Sequence, residues 1–432
     1  MMRFFIAIVV MIVTPLSLAG SLSTPEKQLT QYITEHQSAQ ISLLSKLVNV
    51  NSGTTNIKGA ERVGEILIPE LKQLGFHISW VKEPPSMHRA PTLIATRTGK
   101  QGKRLLLIGH LDTVFPADTK FKTFTLKKNS AKGPGVIDDK GGLVVLLYAL
   151  KALNTIHALD NTSMAIVLTG DEEDSGKPAS ISRKPLIDAA AHQDVALDFE
   201  PSITLETATI ARRGISNWTI SVQGNESHSA TIFQPEIGAG AIFEIARILD
   251  VMRLKFINEK YLSFNPGIIL GGNKMDYDAK ASKGSVFGKQ NIVAKTALVS
   301  GDVRFLSIAQ KKSFQENLIT LVHRHLQGTK SSIVFEDGMP PMSPTKNNMT
   351  LLEKYSQVSK DLDYGKVTAF PPGLRGAGDI SYVSNIVPAN LSGLGPIGYG
   401  THSIMESVEL NSFPIQTKRA ALLIYRLTHY AQ

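Results

Sequence analysis

Three apolar runs in this 432-residue chain each end in residues that bind metals. Leu105-Leu106-Leu107-Ile108-Gly109 delivers His110 and, two positions on, Asp112. Ala165-Ile166-Val167-Leu168-Thr169-Gly170 delivers Asp171-Glu172-Glu173, and Val195-Ala196-Leu197 delivers Asp198-Phe199-Glu200. Two further segments, Gly135-Val136-Ile137-Asp138-Asp139-Lys140-Gly141-Gly142 and Gly400-Thr401-His402-Ser403, add two carboxylates and an imidazole. Neutral imidazole nitrogen and carboxylate oxygen are the donors of zinc and its neighbours in the divalent series. Each segment alone has a plainer reading: a hydrogen-bonded strand-end histidine, a solvated acidic turn, or a carboxylate cap for a helix opening near Gly141. All five in this order, with apolar runs ahead of three, point instead to one metal centre.

The elements that must position these residues follow from periodicity. Buried strands finishing in ligand-type residues place a site beyond the strand carboxyl ends of an open sheet. Helical spacing runs from about Glu26 to Leu74, with Gly75 as a stop, and Leu143 to Leu153 forms a buried helix. Strands are expected at Ile78–Val81 and Leu93–Arg97 as well as at the motif runs. This alternation predicts an α/β fold, a mainly parallel sheet flanked by helices. After Arg213-Gly214 the pattern changes: an alternating strand at Trp218–Val222, a helix from Ile237 to Met252, strands at Ile268–Leu270, Ala297–Phe305 and Ile333–Glu336, and a helix at Ser313–Leu326. That mixture reads as an inserted α+β domain over 213–337. The catalytic domain is split into 22–212 and 338–432, the second part beginning after a Pro-rich return and holding a helix at Leu351–Leu362.

Bulk properties narrow the class. Residues 1–21 read as a signal peptide: Arg3 precedes the uncharged run Phe4 to Leu18, and Ser17-Leu18-Ala19 has cleavage-site spacing. A run of about 15 apolar residues falls short of the roughly 20 a membrane span needs. The mature protein is therefore expected to be secreted or periplasmic, without a stable span. There is no cysteine, so no disulfide framework is available. The net charge is +9, but the basic stretch Lys120 to Lys132 lacks a nucleic-acid signature and reads as a solvated surface.

With these motifs in view, the chain resembles the co-catalytic zinc metallopeptidases of the glutamate carboxypeptidase, aminoacylase and succinyl-diaminopimelate desuccinylase family. It is most similar to the glutamate carboxypeptidase branch, through Gly133-Pro134-Gly135-x-x-Asp138-Asp139-Lys140-Gly141-Gly142, Asp171-Glu172-Glu173 and Phe199-Glu200-Pro201. The resemblance implies two divalent ions, zinc in the family: His110 and Glu200 on one, Glu173 and His402 on the other, and Asp138 bridging. It also implies Glu172 as general base and Asp112 as the partner of the second His110 nitrogen. His228, in Ser227-His228-Ser229, is similar to the histidine that reaches a partner subunit's active site, which implies a homodimer. Asn291 would orient the scissile carbonyl and Arg304 a terminal carboxylate. The implied substrate is a peptide or N-acyl amino acid cleaved beside a free carboxylate. A dipeptidase or aminoacylase shares the fold, and a non-catalytic binding protein would have no use for Glu172. Glutamate-specific relatives tend to carry a further arginine where this chain reads Glu336-Asp337-Gly338-Met339-Pro340.

Overall fold

The computed structural model describes residues 22–430, so the signal-peptide segment lies outside the described residues. Six strands form the central sheet in the order His77–Val81, Thr92–Arg97, Thr162–Thr169, Gln101–His110, Val195–Asp198, Ala389–Ser392. The last four run parallel to one another, while Thr92–Arg97 is antiparallel to both of its neighbours. The sheet is thus mainly parallel. Its motif strands read as unbroken apolar runs because both faces are covered. Leu105 and Leu107 face one core, with the helices Lys140–Thr155 and Ser412–His429, and Leu106 and Ile108 face the other, with Leu186, Ile380 and Val383. Lys140–Thr155 is buried on nearly every side, as its run Leu143–Leu150, apolar all round, requires.

A second sheet, wholly antiparallel, has the order Ser263–Gly272, Thr296–Phe305, Gly214–Gly224, Thr329–Asp337. Burial alternates along Gly214–Gly224, and the helices Gly240–Phe256 and Ile308–His323 close the buried face over Trp218, Ile245 and Phe314. The chain crosses between the sheets at Arg212 and Met342, whose backbones exchange hydrogen bonds of 2.9 and 3.0 Å.

Several element bounds differ from expectation. The expected helical stretch from Glu26 is three helices, Thr24–Glu35, Gln37–Val48 and Ile57–Gln73, and Gly75 ends the last with a φ of 79°. The Ile237 helix begins at Gly240, because Gly238 and Gly240 both take a φ of 75° and hold a turn instead. The Ser313 helix begins five residues early at Ile308, since the Ser307 side chain accepts from the Gln310 amide as an N-cap. A small sheet lies outside the sequence pattern: Thr125–Leu126, Ser130–Lys132, Gly398–Tyr399 and Ser407–Glu409. It joins the basic stretch to the loop that carries His402.

Candidate metal centre

The carboxyl ends of three parallel strands open into a cleft of about 220 Å³, lined by Asp138, Glu172, Glu173, Glu200 and His402 among others. His110, buried at the end of its strand, approaches Asp138 Oδ1 with Nε2 at 3.0 Å and Glu200 Oε1 at 3.6 Å. His402, exposed on its loop with a φ of 64°, places Nε2 at 3.2 Å from both Asp138 Oδ2 and Glu173 Oε2. Asp138 thus turns one oxygen to each imidazole. All five expected ligands come together, Glu200 beside His110 and Glu173 beside His402 with Asp138 facing both imidazoles, and Glu172 joins them: the donor triads whose atoms lie within 4.8 Å of one another are His110, Glu172 and Glu200, and His110, Asp138 and Glu173.

Below them, Asp112 organises the acidic loop. Its Oδ1 accepts from the Glu172 amide at 2.9 Å, and its Oδ2 accepts from the Glu173 amide at 3.2 Å and the Thr54 hydroxyl at 2.6 Å. His110 Nδ1 lies 3.1 Å from the Asp112 carbonyl oxygen and 3.4 Å from its carboxylate. The nearer acceptor for that nitrogen is therefore the backbone carbonyl, with the carboxylate 0.3 Å farther away.

The electrostatics are those of a cation site. Burial opposes an imidazolium at His110, yet Asp112, Asp138 and Glu200 outweigh it and push its pKa well above the ordinary value. Hydrogen bonds to Asp138 and Glu173 raise His402 to about 11. Burial raises Glu173 to about 7, and its Oε1 is buried without a hydrogen-bond partner. Burial, then Glu200, lifts Glu172 well above the usual carboxylate range. Burial would lift Glu200 too, but Arg212, His110 and Arg375 hold it well below that range. So many buried carboxylates cost free energy unless cations face them. The donor spacing fits: tetrahedral bonds of about 2.1 Å have edges of about 3.4 Å, against the 3.0–3.6 Å seen between these donor atoms.

The remaining expected site residues lie elsewhere. His228 is exposed, its Nδ1 accepting from the Ala230 amide. Asn291 is exposed one residue from the Ile292 bridge to His228. Arg304 is paired with Asp302, Nε to Oδ2 at 2.8 Å. None of the three lines the cleft.

Sequence reasoning missed several supports. Arg183 is buried between Asp171 and Asp379 and donates to the Asp171 carbonyl, pinning the acidic loop. Glu406 accepts from the amides of Gly135, Ile137 and Asp138, tying the His402 loop to the Asp138 loop. Arg212 and Arg375 converge on Glu200. Of these, only the Arg212-Arg213 pair at the domain junction had a signal that could be read in advance.

Comparison with known proteins sets this centre in a family. The profile of peptidase family M20/M25/M40 matches residues 106–426, three-quarters of the chain. The chain belongs to that family. Carboxypeptidase G2 of Pseudomonas sp. (strain RS-16) is 29% identical over 408 residues, 92% of each chain. A succinyl-diaminopimelate desuccinylase of Gluconacetobacter diazotrophicus is 23% identical over 411 residues, 92% of this chain and 100% of that one. Among solved structures, the aminopeptidase PepT of Bacillus cereus matches with a TM-score of 0.70 at 16% identity, over 90% of this chain and 98% of that one. The YXEP protein of Bacillus subtilis, described as a dinuclear metal binding peptidase, matches at 0.62 and 12% identity, over 91% and 99%. This M20 chain is a metal-dependent hydrolase of the peptidase and amidohydrolase kind.

Proposed function

We propose that this M20 peptidase is an exported di-zinc carboxypeptidase-like amidohydrolase, cleaving a peptide or N-acyl amino-acid bond beside a free carboxylate. The observation that carries the reading is Asp138, with one oxygen toward each imidazole. Two zinc ions, one held by His110, Glu200 and Asp138 and the other by Glu173, His402 and Asp138, would supply Lewis-acid polarisation of the scissile carbonyl and acidify the attacking water. Glu172, half-buried in the cleft, takes the proton from that water as its oxygen bonds to the carbonyl carbon. Its carboxyl then returns the proton to the leaving nitrogen as the C–N bond breaks. Asp112 keeps the two glutamates apart in role by fixing both of their backbones. The Ser17-Leu18-Ala19 segment supports export.

The test is a hydrolysis panel of dipeptides and N-acyl amino acids, each paired with its amidated analogue. Turnover is expected only with a free carboxylate, is expected to vanish with chelator, and is expected to return with zinc. Equal turnover of the amidated analogues would remove the carboxypeptidase reading. A zinc-loaded protein that turns over nothing in the panel would favour a binding role.

His228 does not line the cleft of its own chain and enters this reading from a second copy, while Asn291 and Arg304 enter it as substrate contacts. The assembly is therefore proposed as a homodimer with composite sites. Mixing inactive His228→Ala with inactive Glu172→Gln is expected to restore activity in heterodimers, which carry one intact site. No recovery despite demonstrated subunit exchange would confine His228 to its own chain or to no role at all.

A further inference from the structure

Arg212 stands at an unusual crossing. Its backbone closes the paired strands by which the chain leaves for the second sheet and returns, bonding Met342 in both directions. Its side chain points the other way, into the floor of the cleft, and only 2% of the residue is exposed. There Nη2 donates to Glu200 Oε2 at 2.7 Å, while Nε and Nη1 have no partner. Arg375 flanks the same oxygen at 3.6 Å and is anchored on the Pro201 carbonyl. Glu200 Oε1 is left as the oxygen that faces His110 Nε2.

We propose that Arg212 is a positioning residue that restrains Glu200 to a single metal-facing oxygen. The inference rests on the reading of Glu200 as a metal ligand. A free carboxylate can close on a small divalent ion with both oxygens and so fill positions that water and substrate need. A buried guanidinium bonded to Oε2 removes that option, and its charge offsets the carboxylate's attraction for the ion. The arrangement is tightly fitted. A Cβ built on Gly378 would lie 1.6 Å from Arg212 Nη1, so only glycine at 378 lets the guanidinium lie where it does.

Metal-free protein reconstituted with cobalt(II) provides a readout apart from activity, because the visible absorption of cobalt weakens as its coordination number rises. Arg212→Met is expected to lower that absorption for one ion of the two, and kcat is expected to fall more than KM rises. Arg212→Lys, which keeps a cation without the fork, is expected to fall between the two spectra. Gly378→Ala displaces the guanidinium without removing it and is expected to shift the spectrum in the same direction, which guards against misfolding of the charge-removed variant. Wild-type spectra in folded Arg212→Lys and Gly378→Ala would overturn the proposal. Glu200→Gln separates the two readings. Loss of one cobalt with unchanged Arg212-variant spectra defeats the restraint alone, whereas retention of both ions defeats the ligand reading and the restraint with it.

Discussion

Glu172→Gln is expected to retain its full metal content while kcat falls by about 10²–10⁴, the range of a positioned acid–base group. The substitution preserves shape and removes only the ability to hold a proton. Its backbone amide still donates to Asp112 Oδ1, so the loop keeps its course. The neighbouring Glu173 still faces His402 at 3.2 Å. Glu172 has no such contact with His402, and the geometry thereby separates two adjacent glutamates of identical chemistry. It does approach His110 and Glu200: one oxygen of each carboxylate and an imidazole nitrogen lie within 4.8 Å of one another. A ligand role at that position would predict something different, namely loss of one ion in Glu172→Gln. Metal analysis beside steady-state kinetics decides the matter. Intact metal with lost turnover supports the base, whereas parallel loss of both makes Glu172 a ligand. Glu173→Gln is the matched control, expected to lose metal first.

The strands that carry His110, Glu172 and Glu200 were legible because a parallel strand covered on both faces leaves an unbroken apolar run ahead of its last residue. His402 was legible only as part of a motif. The strands that hold its loop, Gly398–Tyr399 and Ser407–Glu409, are too short to show any periodicity. The C-terminal helix Ser412–His429 is not legible in the sequence because Gln416, Thr417 and Arg419 are buried among its apolar residues and interrupt the stripe. In the hairpin, Lys274–Asp278 alternates over only five residues, too short to stand out, and its partner Lys283–Phe287 is exposed throughout and does not alternate. The supports of the centre were hidden for a different reason. Thr54 meets Asp112 across 58 residues and Arg375 meets Pro201 across 174, separations at which spacing in the sequence says nothing about contact. Metal ligands announce themselves by residue type. The groups that hold them announce themselves only in the fold.

Asp138→Ala is expected to lose both ions, taking bound metal from two per chain toward none and activity with it. Each oxygen of this carboxylate serves a different half of the centre, 3.0 Å from His110 Nε2 and 3.2 Å from His402 Nε2. Its removal leaves Glu173 with His402, a two-ligand remnant where a zinc site needs three protein donors, and leaves His110 and Glu200 with Glu172, the expected base, as the nearest third donor. The loop itself should survive the change. Glu406 holds it through the backbone amides of Gly135, Ile137 and Asp138, none of which depends on the side chain at 138. A melting curve close to that of the metal-free parent would therefore accompany the loss of metal. Asp139 is the obvious alternative bridge, but its Oδ2 lies 3.3 Å from the His110 backbone amide, and its other oxygen is buried without a partner. That carboxylate faces the strand backbone and not the imidazoles. Two ions retained in folded Asp138→Ala would show that Asp139 had been the bridge. One ion retained would show that the two halves of the centre are independent, and Asp138 would then be a ligand of only one of them.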